Sequence, residues 1–188
     1  MSLEKLVKFS RIIGKLKLVK RSGWISHAGI TEPESVADHS FRCAILAMYI
    51  GDLIEIDTER LVKMLLLHDT QEAITGDYDS SEKEKIGISE VRRRDKAAIG
   101  NMLPLLPPRL ARQYLHIWRE FEGQRTAEAV LANDIDKIEM VMQALEYEKD
   151  GCDPRKLDVF WANTKSKIKT PIIRDLFRLL IEERAANE

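Results

Sequence analysis

Three short stretches of this 188-residue chain carry histidines or carboxylates, side chains of the types that can share a divalent cation. In Leu65-Leu66-Leu67-His68-Asp69-Thr70-Gln71-Glu72 a greasy run is followed at once by His, Asp and Glu. On a helix, Glu72 lies one turn from His68 and three residues from Asp69, so it stands beside both. Burying three such groups beside leucines is costly unless something pairs them, and a divalent cation does so. Neutral imidazole and carboxylate are good ligands for zinc, manganese, iron or cobalt. A lone His-Asp dipeptide fits a cap or a salt bridge equally well, so this stretch decides nothing by itself.

The second stretch, Glu34-Ser35-Val36-Ala37-Asp38-His39-Ser40, puts another histidine at the start of a helix. A short connection makes that helix antiparallel to the next, so its start faces the end carrying His68 and Asp69. The alternative is an ordinary helix-start histidine, with Asp38 or Ser35 as cap. The third stretch, Asn133-Asp134-Ile135-Asp136-Lys137-Ile138-Glu139, lies in a long helix with two apolar or small-residue sides. Leu131, Ile135, Ile138, Met142 and Leu145 form one stripe; Ala129, Ala132, Asp136, Met140 and Gln143 form the other. A helix apolar on most of its circumference is central in a fold. Asp134 and Asp136 point about 160° apart at ~100° per residue, so at most one faces a common site. Geometry alone does not choose between them.

The elements that must position these residues all read with helical period. A first helix carries Leu3, Leu6, Val7, Ile12 and Ile13, with a basic end at Lys15 to Lys20. Residues 21–36, with Gly23, Gly29 and Pro33, read as a loop. A second helix runs from about residue 38 to 54, its apolar positions being Phe41, Ala44, Ile45, Met48 and Leu53. A third, capped by Asp57 or Thr58, runs from Glu59 to about Ile74 with Leu61, Val62, Leu65 and Leu66 buried, and Gly76 ends it. Residues 77–88 are polar and read as a mobile loop or one weak turn. Helices follow over about 89–103, from Pro108 through Phe121, from Thr126 to about Asp150, and over roughly 154–166 and 171–185. No segment has strand period. The prediction is an all-α, single-domain helical bundle, with a core over about 15–150 and C-terminal helices over 154–188 packed on it.

Composition bounds the partners. Thirty basic against thirty-one acidic residues give a net charge of −1, which supplies no global attraction for nucleic acid or membrane. The basic run Arg92 to Lys96 reads as a solvated face. An anionic substrate then needs local arginines or a metal. Cys43 and Cys152 are too few for a disulfide scaffold, and Cys43 reads as a small core residue. No signal-peptide pattern opens the chain and no window approaches a membrane span, so the cytoplasm is the expected location.

Taken together the stretches are specific. PESVADHS (33–40), LLLHDTQEAITGD (65–77) and TAEAVLANDIDKIEMVMQALEYE (126–148) follow the H…HD…D order of the HD superfamily of metal-dependent phosphohydrolases, and resemble its small 5′-deoxynucleotidases. The resemblance runs from about Lys15 to Tyr147. It implies an HD-type fold, one divalent ion (cobalt, manganese, zinc, iron or magnesium), and His39, His68, Asp69 and Asp136 as ligands. The family's final aspartate stands in an Asp-Lys pair, which selects Asp136 over Asp134. A basic residue and a tryptophan precede the first motif, matched by Arg21 and Trp24, while Glu72 and Asp77 match two further acidic site residues. Asp38 and Asp95 stand where many relatives carry glutamate, and neither is a ligand.

The resemblance implies hydrolysis of nucleoside 5′-monophosphates, preferentially 2′-deoxyribonucleotides. Glu72 would position or deprotonate the attacking water. Arg21 would clamp the phosphate. Asp77 would accept from a sugar hydroxyl or assist the leaving oxygen, and Trp24 would pack on sugar or base. Arg21 as a helix-end cation and Trp24 as a core plug are the structural alternatives. His27 and His116 are assigned no role, although His27 can border the pocket. A homodimer is implied by resemblance only. The competing functions are an HD reaction on a triphosphate or signalling nucleotide, and a non-catalytic helical scaffold, which gives no reason for four ligands plus Glu72.

Overall fold

The computed structural model describes residues 2–186, and these form ten α-helices with no strand among them. The all-α expectation is met. α1 (Leu3–Gly14) passes through a 3₁₀ turn (Lys15–Lys17) and a π-helical turn (Trp24–Ala28) into α2 (Val36–Leu53). α2 starts at a capping box: Ser35 Oγ accepts from Asp38 N at 3.2 Å and Asp38 Oδ2 accepts from Ser35 N at 2.9 Å. α3 (Thr58–Leu67) is capped by Asp57, which accepts from Arg60 N. Then come α4 (Glu72–Thr75), α5 (Ser80–Ile86), α6 (Ile88–Met102), a 3₁₀ turn (Leu103–Leu105), and α7 (Pro108–Gly123). Pro108 sits in the first turn of α7, where its missing N–H costs nothing. α8 (Ala127–Lys149) is capped by Thr126, and α9 (Pro154–Lys167) and α10 (Pro171–Ala186) follow. No helix is long and apolar enough to cross a membrane.

α2 and α3 form an antiparallel hairpin laid on α8, with the start of α2 at the end of α3. A close connection allows this: a Cβ at Gly51 would stand 2.7 Å from Thr58 Oγ1, so only glycine fits there. α8 is central. Ala129, Leu131, Ala132, Ile135, Ile138, Val141 and Ala144 are all 1% exposed or less. Leu157, Trp161, Ile173, Phe177 and Leu180 from α9 and α10 join the same core as Leu61, Met64 and Leu65 from α3.

Several expectations need correcting. The buried face of α2 is not Phe41, Ile45, Met48 and Leu53, which are 66%, 46%, 49% and 60% exposed; of the expected set only Ala44 is buried. The covered positions are His39, Ser40, Cys43, Ala47, Ile50 and Gly51, which apart from Ile50 are small or polar residues that let α3 and α8 approach closely. On α3, Leu66 is half exposed and Met64 takes its place in the core. The expected continuous helix to Ile74 breaks after Leu67 into a tight turn of i→i+3 bonds, including Thr70 N to Leu67 O and Glu72 N to Asp69 O. His68 Nδ1 donates to Leu65 O at 2.7 Å and Thr70 Oγ1 to Leu67 O at 2.9 Å, so side chains hold this bend. Residues 77–88 are not a loop: Asp79 and Glu82 make a second capping box that starts α5. Within 21–36 the chain forms the π-helical turn, and one antiparallel bridge pairs Lys20 with Ser35.

Candidate functional site

The bend after α3 aims His68 and Asp69 at the start of α2 and the middle of α8. His39 Nε2 lies 3.2 Å from Asp136 Oδ1 and 3.9 Å from Asp69 Oδ2. His68 Nε2 lies 3.0 Å from Asp69 Oδ2 and 3.9 Å from Asp136 Oδ1. His39, His68 and Asp136 offer donor atoms all within 4.8 Å of one another. Asp69 is not in that trio, and its Oδ2 also accepts from Arg21 Nη1 at 3.3 Å.

The outer ring nitrogens decide what the inner ones can do. A carbonyl only accepts, so His68 Nδ1 carries the proton given to Leu65 O, and the neutral ring presents a lone pair at Nε2. That Nε2 is buried, is not aligned for a hydrogen bond with Asp69, and has no partner among the described residues. On His39, Nδ1 contacts Glu139 Oε2, a carboxylate that in turn accepts from Arg42 Nε at 2.8 Å. Lone pairs and carboxylates thus converge where only a cation satisfies them, and the donor set fits a divalent metal. Burial and Arg21 oppose a charged His39, yet Cys43, Glu139 and Asp136 hold its pKa well above the ordinary value. A second proton or a metal ion answers the same electrostatic demand.

Burial opposes ionisation of Asp69, but His68, Arg21 and His39 bring its pKa down to about 2. Asp136 is likewise held down against burial by His39, Lys137 and His68. Asp134 faces the other way. Its Oδ2 accepts from Lys169 N at 2.8 Å, Thr170 N at 2.6 Å and Thr170 Oγ1 at 2.8 Å, anchoring the chain just before α10. Two aspartates two residues apart therefore serve opposite sides of α8.

The remaining expected residues surround a cavity of about 340 Å³ above the cluster, in the size class of small-molecule sites. Arg21, Trp24, Glu72 and Asp77 all line it, with Asp69 and Asp136. Glu72 is buried and its Oε2 has no partner among the described residues. Burial, then Asp69 and Asp77, push its pKa well up against Arg21 and Lys83. Asp77 Oδ2 accepts from Ser22 N and Oγ at 2.6 and 2.8 Å, which fixes the segment carrying Arg21 and leaves Oδ1 without a protein donor among the described residues. Trp24 is 1% exposed: its ring lies 4.0 Å from Phe160 and 5.2 Å from Tyr147, and Nε1 donates to Glu34 Oε1. It supports a wall of the cavity by packing. His27 borders the cavity, whereas His116 is exposed beside Glu120.

Several residues escaped the sequence reading. Glu139 orients His39, and its spacing, three residues after Asp136, was the available signal. A second set, His39, Cys43 and Glu139, also lies within ligand range. There Glu139 is engaged by Arg42 and supports His39 from behind, while burial pushes the Cys43 thiol up to about 12. Glu34 accepts from Trp24 Nε1 through its side chain and from Arg21 N through its carbonyl. Burial, then Glu139, raise it to about 7 against His39 and Arg21. Lys83, Phe160, Asn163 and Lys167 line the cavity from α5 and α9, which no motif marked.

The comparisons with known proteins agree with this geometry. The chain is 38% identical over 179 residues to the 5′-deoxynucleotidase HDDC2 of Xenopus laevis, covering 95% of this chain and 87% of the relative. It is 37% identical over 182 residues to the 5′-deoxynucleotidase HDDC2 of Homo sapiens, covering 97% and 87%. Among solved structures, a conserved hypothetical protein from Pyrococcus furiosus superposes with a TM-score of 0.78 at 30% identity, over 95% of this chain and 99% of that one. The family profile described as HD domain matches residues 13–176, spanning α2 through α9 with every residue of the cluster, and the chain belongs to that HD domain family.

Proposed function

We propose that the protein is a metal-dependent phosphomonoesterase that releases phosphate from 5′-deoxynucleotides, with His39, His68, Asp69 and Asp136 as the metal ligands. The observation that carries it is the orphaned Nε2 of His68, facing a carboxylate pair beneath a cavity that holds Arg21 and Glu72. The relatives named 5′-deoxynucleotidase support the substrate class. When bound, a divalent ion there lowers the pKa of a coordinated water and offsets charge on the phosphoryl group.

The chain's own residues do the rest. Glu72 Oε2, buried and without a partner among the described residues, is placed to take a proton from the attacking water in its ionised form, and burial beside Asp69 and Asp77 raises the pH at which that form appears. Arg21 spends one N–H on Asp69 and has others for phosphate oxygens, a pairing its planar guanidinium favours. Lys83, at the same cavity, adds a second cation. Asp77 Oδ1 accepts from a sugar hydroxyl while Oδ2 keeps Ser22, and so Arg21, in place. Trp24 backs Phe160, and together they narrow the side of the cavity where the sugar would lie.

Phosphate release from deoxyadenylate, adenylate and deoxyadenosine triphosphate, each with manganese or cobalt and a chelator control, tests the reading. Chelator-sensitive release fastest from the deoxy monophosphate is expected. Release from the triphosphate alone would move the protein to the triphosphate or signalling-nucleotide class.

The protein is read as a cytoplasmic homodimer without a nucleic-acid or membrane partner. Phe41, Ile45, Met48 and Tyr49 on the outer face of α2, 46–70% exposed, support burial against a second copy. Light scattering should give twice the 21.6 kDa chain mass; the mass of one chain would discard the dimer.

A further inference from the structure

α6 and α7 border a second, open cavity of about 340 Å³, away from the metal cluster. Its apolar lining comes from Ile99, Leu103, Leu115 and Trp118, and its basic residues are Lys96, Arg112 and Arg119. It continues into a neighbouring depression that shares Lys96, Trp118 and Arg119 and adds Arg92 and Arg125, with the acidic residues Asp95 and Glu122. The ion pairs on α6 and α7 are made elsewhere, by Arg93 and Arg94 with Glu90 and by Arg60 and His116 with Glu120. Among the described residues Lys96, Arg112 and Arg119 have no carboxylate partner. Apolar surface bordered by unpaired cations is complementary to a ligand with an apolar body and an anionic group, and the volume suits a small molecule.

This cavity shares a wall with the metal site. Trp118 Nε1 donates to Gln71 Oε1 at 3.0 Å, and Gln71 sits between Asp69 and Glu72. One turn on, the Phe121 ring packs 5.1 Å from the His68 ring. A ligand wedged against Trp118 and Leu115 therefore presses on the helix that backs both Glu72 and His68.

We propose that the α6–α7 cavity is an effector site for an amphiphilic organic phosphate, with the apolar group against Trp118, Leu115 and Ile99 and the phosphate on Lys96, Arg112 and Arg119. Occupancy is transmitted along α7 to Gln71 and His68. The regulatory half rests on the phosphatase activity proposed above; the binding half does not.

Two measurements test it on the metal-loaded protein, with ATP and decyl phosphate as probes and inorganic pyrophosphate as the probe without an apolar group. Calorimetry should show ATP or decyl phosphate binding, pyrophosphate binding far more weakly, and the Arg112→Glu/Arg119→Glu variant losing that binding. The arm that binds better tells a nucleotide from an alkyl phosphate. At saturating deoxyadenylate, the same probe should change kcat by about fivefold or more, the lower end of ordinary coupling, and the variant should keep basal kcat and KM but lose the response. Binding of neither probe, or binding unchanged in the variant, overturns the site. Inhibition that vanishes at saturating deoxyadenylate overturns the coupling, since the probe then merely competes. If deoxyadenylate is not hydrolysed at all, the phosphatase reading fails and calorimetry still decides the site.

Discussion

Asp136→Ala is expected to lose the bound metal and to cut phosphate release on the order of 10³-fold, because several kcal/mol of charge stabilisation leave with the ion. His39 Nε2 would then face an empty side of α8, and His68 Nε2 would keep only Asp69 nearby. The informative control is Asp134→Ala, two residues away. It removes three hydrogen bonds to the segment before α10 and, at about 1 kcal/mol net for each, should lower stability by about 3 kcal/mol. It should leave metal stoichiometry intact. Elemental analysis with thermal melting reads both variants. Metal retained in Asp136→Ala, or lost in folded Asp134→Ala, would show that the ligand has been placed on the wrong side of α8.

The second large effect belongs to Glu72→Gln. The amide keeps the size of the side chain but cannot take a proton, so kcat should fall by roughly 10²–10⁴ while the metal stays bound. The pH dependence follows in sign. Burial beside Asp69 and Asp77 raises the Glu72 pKa, and the proton-accepting carboxylate is gained as pH rises through that value. Wild-type activity should therefore climb along an acid limb displaced upward from the ordinary carboxylate range, and the residual activity of the variant should lack that limb. An unchanged acid limb in Glu72→Gln would assign it to another group.

How far these residues could be read from sequence differs from place to place. The H…HD…D stretches were legible because each combines an uncommon cluster of polar residues with a helix boundary. The helix starts at Asp57, Thr126 and Pro108 were legible for a local reason, since a cap depends on residues within one turn, whereas α2 starts at Val36 after the Ser35 cap, two residues before the expected start. The same local rule was available at Asp79 and Glu82 and went unused, hence the missed α5. The buried face of α2 was not legible from hydrophobicity. Phe41 and Met48 are larger than Cys43 and Ala47, but close contact with α3 and α8 rewards the small residues. Nor could a local pattern show the π-helical turn, because its Trp24 is held by Tyr147 and Phe160, far along the chain. The supporting roles of Glu139 and Glu34 depend on partners brought by other helices, His39 for the one and Trp24 for the other.

The double use of α8 has a consequence for the nascent chain. His39, His68 and Asp69 lie on one early hairpin, whereas Asp136 follows after roughly ten seconds at typical rates of synthesis. The backbone groups that Asp134 holds, at Lys169 and Thr170, emerge later still. During that interval the hairpin carries three of the four proposed donors and lacks the helix that closes them into a site. Full metal selectivity, which depends on the completed geometry, is therefore acquired only after the helix that closes the site has docked, late in the birth of the protein.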